Sequence, residues 1–128
     1  MSAEYKFTVP GHPVPYLRMT VGQTRLMKAK YHRLSPKLQK VYDQVKRYLD
    51  YKDAVAMIAS VHKFDRSPKA KVHMTVKAYF KNNIRGDMDN IFKAIADAVY
   101  QNDKNLVGSF DYEFDTTCPR VECTITEP

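Results

Sequence analysis

The chain has 128 residues, 44% hydrophobic and 27% charged, with two cysteines and a formal net charge of +7. That length is one ordinary domain, 1–128, large enough to bury a core without disulfide staples. It shows no solenoid-length repeat, no low-complexity tract and no apolar run long enough to span a membrane. Its first residues lack the basic-then-apolar pattern of a secretory signal, so an intracellular, cytoplasmic protein is expected.

Residues 5–9 form a short β-like run that stops at Pro10-Gly11. Residues 10–34 hold three prolines and two of the four glycines and show little periodicity, which predicts a long loop. It is a basic loop. Arg18, Arg25, Lys28, Lys30 and Arg33 are interleaved with Tyr16, Tyr31 and His32. Ser35-Pro36 is a helix start, with Ser at the cap and Pro at the first helical position. Leu38, Val41, Tyr42, Val45, Tyr48 and Leu49 then recur at helical spacing, and the helix extends toward Ile58. Ser67-Pro68 closes the next connection.

Val72, Met74, Val76, Ala78 and Phe80 alternate with polar residues, the clearest strand in the chain. A polar turn over 81–86 leads into a second helix, from Asp87 or Asp89 to Tyr100, with Ile91, Ile95, Ala98 and Val99 as its buried stripe. Residues 106–115 and 120–127 complete the order as two strands. The order β-α-β-α-β-β predicts a small α+β domain, two helices packed on a sheet of about four strands.

Charge is unevenly placed. Residues 1–86 carry a net +13 and residues 87–128 a net −6. A basic body joined to an acidic end suits a nucleic-acid surface beside a metal-binding pocket, although a generally solvated basic surface gives the same count. The basic loop is the candidate for DNA contact, its cations on phosphates and its tyrosines available to stack on unpaired bases. Lys77, Lys81 and Arg85 lead toward the acidic end. Cys118 and Cys123 have no histidine at zinc spacing, and on one strand they would face opposite ways, so neither a disulfide nor a metal pair is expected. His12, His32, His62 and His73 are scattered.

The segment from Arg85 to Lys93, Arg-Gly-Asp-Met-Asp-Asn-Ile-Phe-Lys, carries the strongest signal. Asp87 and Asp89 stand two apart where a loop meets a helix. Two carboxylates held close repel unless a cation intervenes, and a hard divalent ion is the natural one. Asp89, Lys93 and Asp97 fall on one helix face. Lys93 would offset charge that grows on a phosphate under attack. From spacing alone, however, a helix cap and ordinary i, i+4 ion pairs account for these residues.

Residues 87–99, Asp-Met-Asp-Asn-Ile-Phe-Lys-Ala-Ile-Ala-Asp-Ala-Val, resemble the signature of the RusA family of Holliday junction resolvases. The opening Phe-Thr-Val-Pro-Gly-His-Pro-Val-Pro of residues 7–15 and the closing strand over 121–127 are similar to the family's ends. The resemblance implies a metal-dependent endodeoxyribonuclease, using Mg²⁺ or Mn²⁺, that nicks branched DNA symmetrically at a four-way junction as a homodimer, in bacteria or phages. It implies that Asp87, Asp89 and Asp103 bind the metal and that Lys93 is the essential lysine. In this chain the link from Asp97 to Asp103 is several residues shorter than the family pattern. Asn102 also replaces the first of the family's two downstream aspartates. Asp111 and Glu113 are the alternative acids for the position of Asp103. Tyr48, Tyr51 and Met57 on the first long helix are candidates for the dimer interface, and core packing explains them equally well. A non-catalytic DNA-binding module with the same fold, and a nuclease for other branched DNA, are the competing readings.

Overall fold

A computed structural model describes residues 3–82 and 86–128. The elements run β1 (Ala3–Pro10), α1 (Val21–Leu26), a 3-10 turn (Tyr31–Arg33), α2 (Pro36–Ala59), β2 (Val72–Phe80), α3 (Met88–Val99), β3 (Leu106–Phe114) and β4 (Arg120–Glu127). The α+β class and the β-α-β-α-β-β order of the main elements are as expected.

The two long helices start where local chemistry places them. Ser35 Oγ accepts from the Leu38 amide at 3.3 Å, and Pro36, which has no N–H to satisfy, opens the first turn of α2. Asp87 caps α3 from an extended backbone. The loop expected over 10–34 is not structureless. Thr20 and Gln23 form a reciprocal capping box that starts α1, although no α1 residue is buried. The 3-10 turn is held to α2. Tyr31 stacks edge-on to Tyr42 at 5.2 Å, and its hydroxyl donates to Asp43 at 3.0 Å.

The four strands lie in the order β1-β4-β2-β3. β1 and β2 each pair antiparallel with β4, and β2 pairs parallel with β3. Val76 at the centre aligns with Cys123 on one side and Phe110 on the other. The alternation of β2 sends Val72, Met74, Val76, Ala78 and Phe80 into the core. Val9, Val121, Cys123 and Ile125 extend that layer, and Ile91, Ile95, Val55 and Ala59 cover it from α3 and α2. Burial pushes the Cys123 thiol up to about 12, whereas Cys118 is exposed in the turn before β4; both are free thiols.

Two details of the helices differ from expectation. Ala94 and Ala96 of α3 are buried, and Ala98 is only half-buried. Ala96 joins the main core, and Ala94 packs with Val14 and Tyr48 in a smaller core on the α2 side. Of the residues offered for an interface, Tyr48 is buried in that cluster and Tyr51 packs against both cores of its own chain. Met57 is exposed.

Gly108 of β3 lies directly beneath the Phe92 ring of α3. A Cβ there would overlap the ring's far edge. The ring must then swing out, losing its packing against Phe110. Gly108→Ala is expected to lower unfolding free energy by about 1–2 kcal/mol. In a urea titration, the combination with Phe92→Ala should cost clearly less than the two single changes added together. Simple additivity would mean the glycine is not there to make room for the ring.

Candidate active site

The start of α3 supplies the first two acids. Asp87 Oδ1 accepts from the amides of Asp89 at 2.9 Å and Asn90 at 3.4 Å, two of the groups a helix start leaves without partners. Asp89 follows in the first turn, where the helix dipole favours a negative charge. One turn further on, Lys93 Nζ lies 3.2 Å from Asp89 Oδ2. Both side chains are more than half exposed, so the pair adds little stability and its cation stays accessible. Capping and ion pairing, the ordinary functions of such residues, are therefore both present.

Lys93 also borders a cleft of about 430 Å³ lined by Tyr16, Arg18, Lys93, Asp97 and Asp103. Asp103 comes from the turn between α3 and β3, where its carbonyl accepts from Leu106 at 2.9 Å. Its carboxylate has no hydrogen bond or ion pair among the described residues. The alternative acids lie elsewhere. On β3 the even-numbered aromatics face the helices, with Phe110 against Phe92 and Phe114 against Phe80. Asp111 and Glu113 alternate to the opposite face, where Glu113 is tied to Lys77 at 3.1 Å. Lys77 is thus committed on the far side of the sheet.

Asp97 pairs across to α2 and not with Lys93. It accepts from Tyr48 Oη at 2.7 Å and meets Lys52 Nζ at 3.0 Å. Partial burial opposes its charge, but Tyr48 and Lys52 outweigh that and hold its pKa below the ordinary 3.8. Partial burial and the Asp97 carboxylate together raise the pKa of Tyr48. Nothing in the spacing of the sequence joins residues 48 and 52 to Asp97.

Of the expected DNA-contact residues, Arg18 is at the cleft. Arg25, Lys28, Lys30 and Arg33 are exposed on or beside α1 and the 3-10 turn, and Lys81 is exposed just past β2. Arg85 lies outside the described residues.

The donor set has the chemistry a hard divalent cation requires: exposed carboxylate oxygens beside a cleft open to solvent. Among the described residues, no three Asp, Glu, His or Cys groups gather closely enough to hold a metal ion. The reason is α3 itself. Asp89 stands in its first turn and Asp103 beyond its last residue, so these acids come from opposite ends of the helix. A Mg²⁺-type ion needs only one or two protein carboxylates, the rest of its shell being water and phosphate. Asp87 and Asp89 at the start of α3 have the oxygen-donor chemistry that such an ion takes.

A mixed sheet covered by helices on one face, with a lysine-and-carboxylate cleft beside α3, defines a small α+β domain. The sequence model of the family Endodeoxyribonuclease RusA matches residues 10–126, and the chain belongs to that family. Membership implies an endodeoxyribonuclease that resolves Holliday junctions. No curated protein sequence matched the chain. No helix among the described residues is long and apolar enough to cross a membrane.

The depressed pKa of Asp97 has a pH signature. A carboxylate whose pKa is lower in the folded state stabilises the fold above its unfolded value and ceases to as pH falls through the folded one. Wild-type stability should therefore drop below about pH 4 through this group. Urea midpoints of Asp97→Asn should lie below wild type at neutral pH and approach it in acid. Parallel curves would show that the Tyr48–Asp97–Lys52 contact carries no differential stability.

Proposed function

We propose that this protein cleaves branched DNA with a divalent cation, Mg²⁺ or Mn²⁺, and that Asp87, Asp89, Lys93 and Asp103 form its catalytic site. The observation that carries this reading is the placement of Lys93, ion-paired to Asp89 and lining the same cleft as Asp103. Asp87 and Asp89 offer carboxylate oxygens to the ion from the start of α3, and Asp103 faces the cleft that Lys93 shares. The bound ion would polarise the scissile phosphate and lower the pKa of a bound water. Lys93 holds a positive charge where a pentavalent phosphate would gather negative charge. Arg18 borders the cleft and neutralises a phosphate of the same strand. Arg25, Lys28, Lys30, Arg33, Lys81 and Arg85 extend the basic surface along the flanking DNA.

The substrate we favour is the four-way junction, cut by a homodimer in two symmetric nicks during recombination and repair inside a bacterial or phage-infected cell. A twofold dimer suits a substrate that is resolved only by paired cuts.

Asn caps a helix about as well as Asp, so Asp87→Asn separates the cap from the chemistry. Asp87→Asn and Asp89→Asn should keep stability within about 0.5 kcal/mol of wild type while abolishing nicking of a labelled four-way junction. Lys93→Met should lower kcat by roughly a hundredfold or more. Asp103→Asn should be far more damaging than Asp111→Asn or Glu113→Gln. Full nicking by Asp89→Asn would place the active site elsewhere.

One observation favours a second reading, a DNA-binding module without catalysis. Asp87 is engaged as a cap, Asp89 as an ion-pair partner, and no three-group cluster forms among the described residues. Mg²⁺ titration separates the two. An ion that binds only the folded chain raises its melting temperature. A flat response, with junction binding intact and no nicking, would establish the module.

A further inference from the structure

Residues 13–19 lie as a strap over the gap between α2 and α3. Val14 is buried with Tyr48 and Ala94, and the Tyr16 amide donates to the Asn90 carbonyl of α3 at 2.9 Å. The strap is thus fixed to the same helical turn that carries Asp89 and Lys93. The Tyr16 ring rests edge-on to Tyr48, with centroids 5.8 Å apart, and remains half-exposed.

Three depressions meet at this one ring. Tyr16 lines the cleft of Lys93 and Asp103, a second hollow beside Lys52 and Asp97, and a third beside Gln44 and Arg47. The cations around it are not equivalent. Lys93 and Lys52 are paired to Asp89 and Asp97. Arg18 and Arg47, which line different depressions that Tyr16 shares, are exposed and have no carboxylate partner among the described residues. A half-exposed aromatic ring seated on Tyr48, with two uncommitted guanidinium groups in the depressions it borders, suits a chain that alternates anions with flat, unpaired π-faces. Duplex DNA, whose bases are stacked on each other, does not present such faces.

We propose that Tyr16, Arg18 and Arg47 form a subsite for the nucleotide next to the cleaved phosphodiester, with its unpaired base on Tyr16 and the adjoining phosphates on the two arginines. This rests on the reading of the Lys93 cleft as the cleavage centre, and it goes beyond that reading by making an unpaired base at the branch a requirement. Tyr31, by contrast, is committed to Tyr42 and Asp43 and is not part of the subsite.

The test uses junctions carrying one fluorescent adenine analogue, moved a nucleotide at a time across the branch, bound by the full chain in chelator so that no cutting occurs. Wild type should quench the analogue at one position beside the nicking site and at no position in unbranched duplex. Tyr16→Leu should lose that quench and bind the junction about tenfold more weakly. Tyr16→Phe should keep both, which controls for folding. Arg18→Ala and Arg47→Ala should each reduce the slope of log affinity against log salt by about one. A quench that persists in Tyr16→Leu, or an unchanged slope in Arg47→Ala, overturns the subsite. A position-specific quench in a protein that never nicks would uphold the subsite and remove the nuclease reading. Nicking by Tyr16→Leu at wild-type KM, with the quench intact, would do the reverse.

Discussion

The structure depends on α3 being buried on two sides. One face meets the sheet through Ile91, Ile95 and Val99, and another meets the strap and α2 through Ala94. The second contact needs a small residue, because Ala94 must admit both Val14 and Tyr48 beside the helix backbone. The geometry of the site follows from that contact. It brings Tyr16 to the first turn, sets Asp97 within reach of α2, and leaves Asp89 and Lys93 as the exposed remainder of the helix. A helix with a single apolar stripe would lie on the sheet with no wall beside it and no cleft.

Much of this was legible in the sequence. The alternation of residues 72–80 identified the central strand, because a strand with one face in the core must repeat with period two. Ser35-Pro36 and Asp87 marked both long helices, because capping is local chemistry and needs no knowledge of the fold. The pattern around Asp87, Asp89 and Lys93 pointed to the right family. α1 escaped, although its capping box, Thr20-Val21-Gly22-Gln23, was there to be read. With no buried face, it has none of the periodicity that reveals a helix.

The long-range part of the site was not legible. The contact of Tyr48 with Asp97 spans 49 residues, and that of Tyr16 with Asn90 joins a proline-rich strap to a distant helix. Such pairs arise from how α2 and α3 settle against each other, which side-chain spacing does not encode. For the same reason helical spacing put Asp97 with Lys93. That geometry is available, but a phenol and a lysine on α2 hold the carboxylate instead. Net charge misleads in a similar way. Arg120 lies 3.8 Å from the Tyr79 ring and bonds to both Asp115 and Glu122, so its cation is spent within the fold.

β3 is the outer strand of the sheet beside β2, and Phe110 and Phe114 on it are nearly half exposed. An uncovered strand edge with aromatic side chains can template pairing with any other extended chain. Asp111 and Glu113 interrupt that stretch with negative charge, a common guard against such growth. Glu113 is balanced there by Lys77, so the charge left to oppose pairing along this edge is that of Asp111. Neutralising Asp111, by acid or by substitution, would leave the outer margin of the sheet without that negative charge.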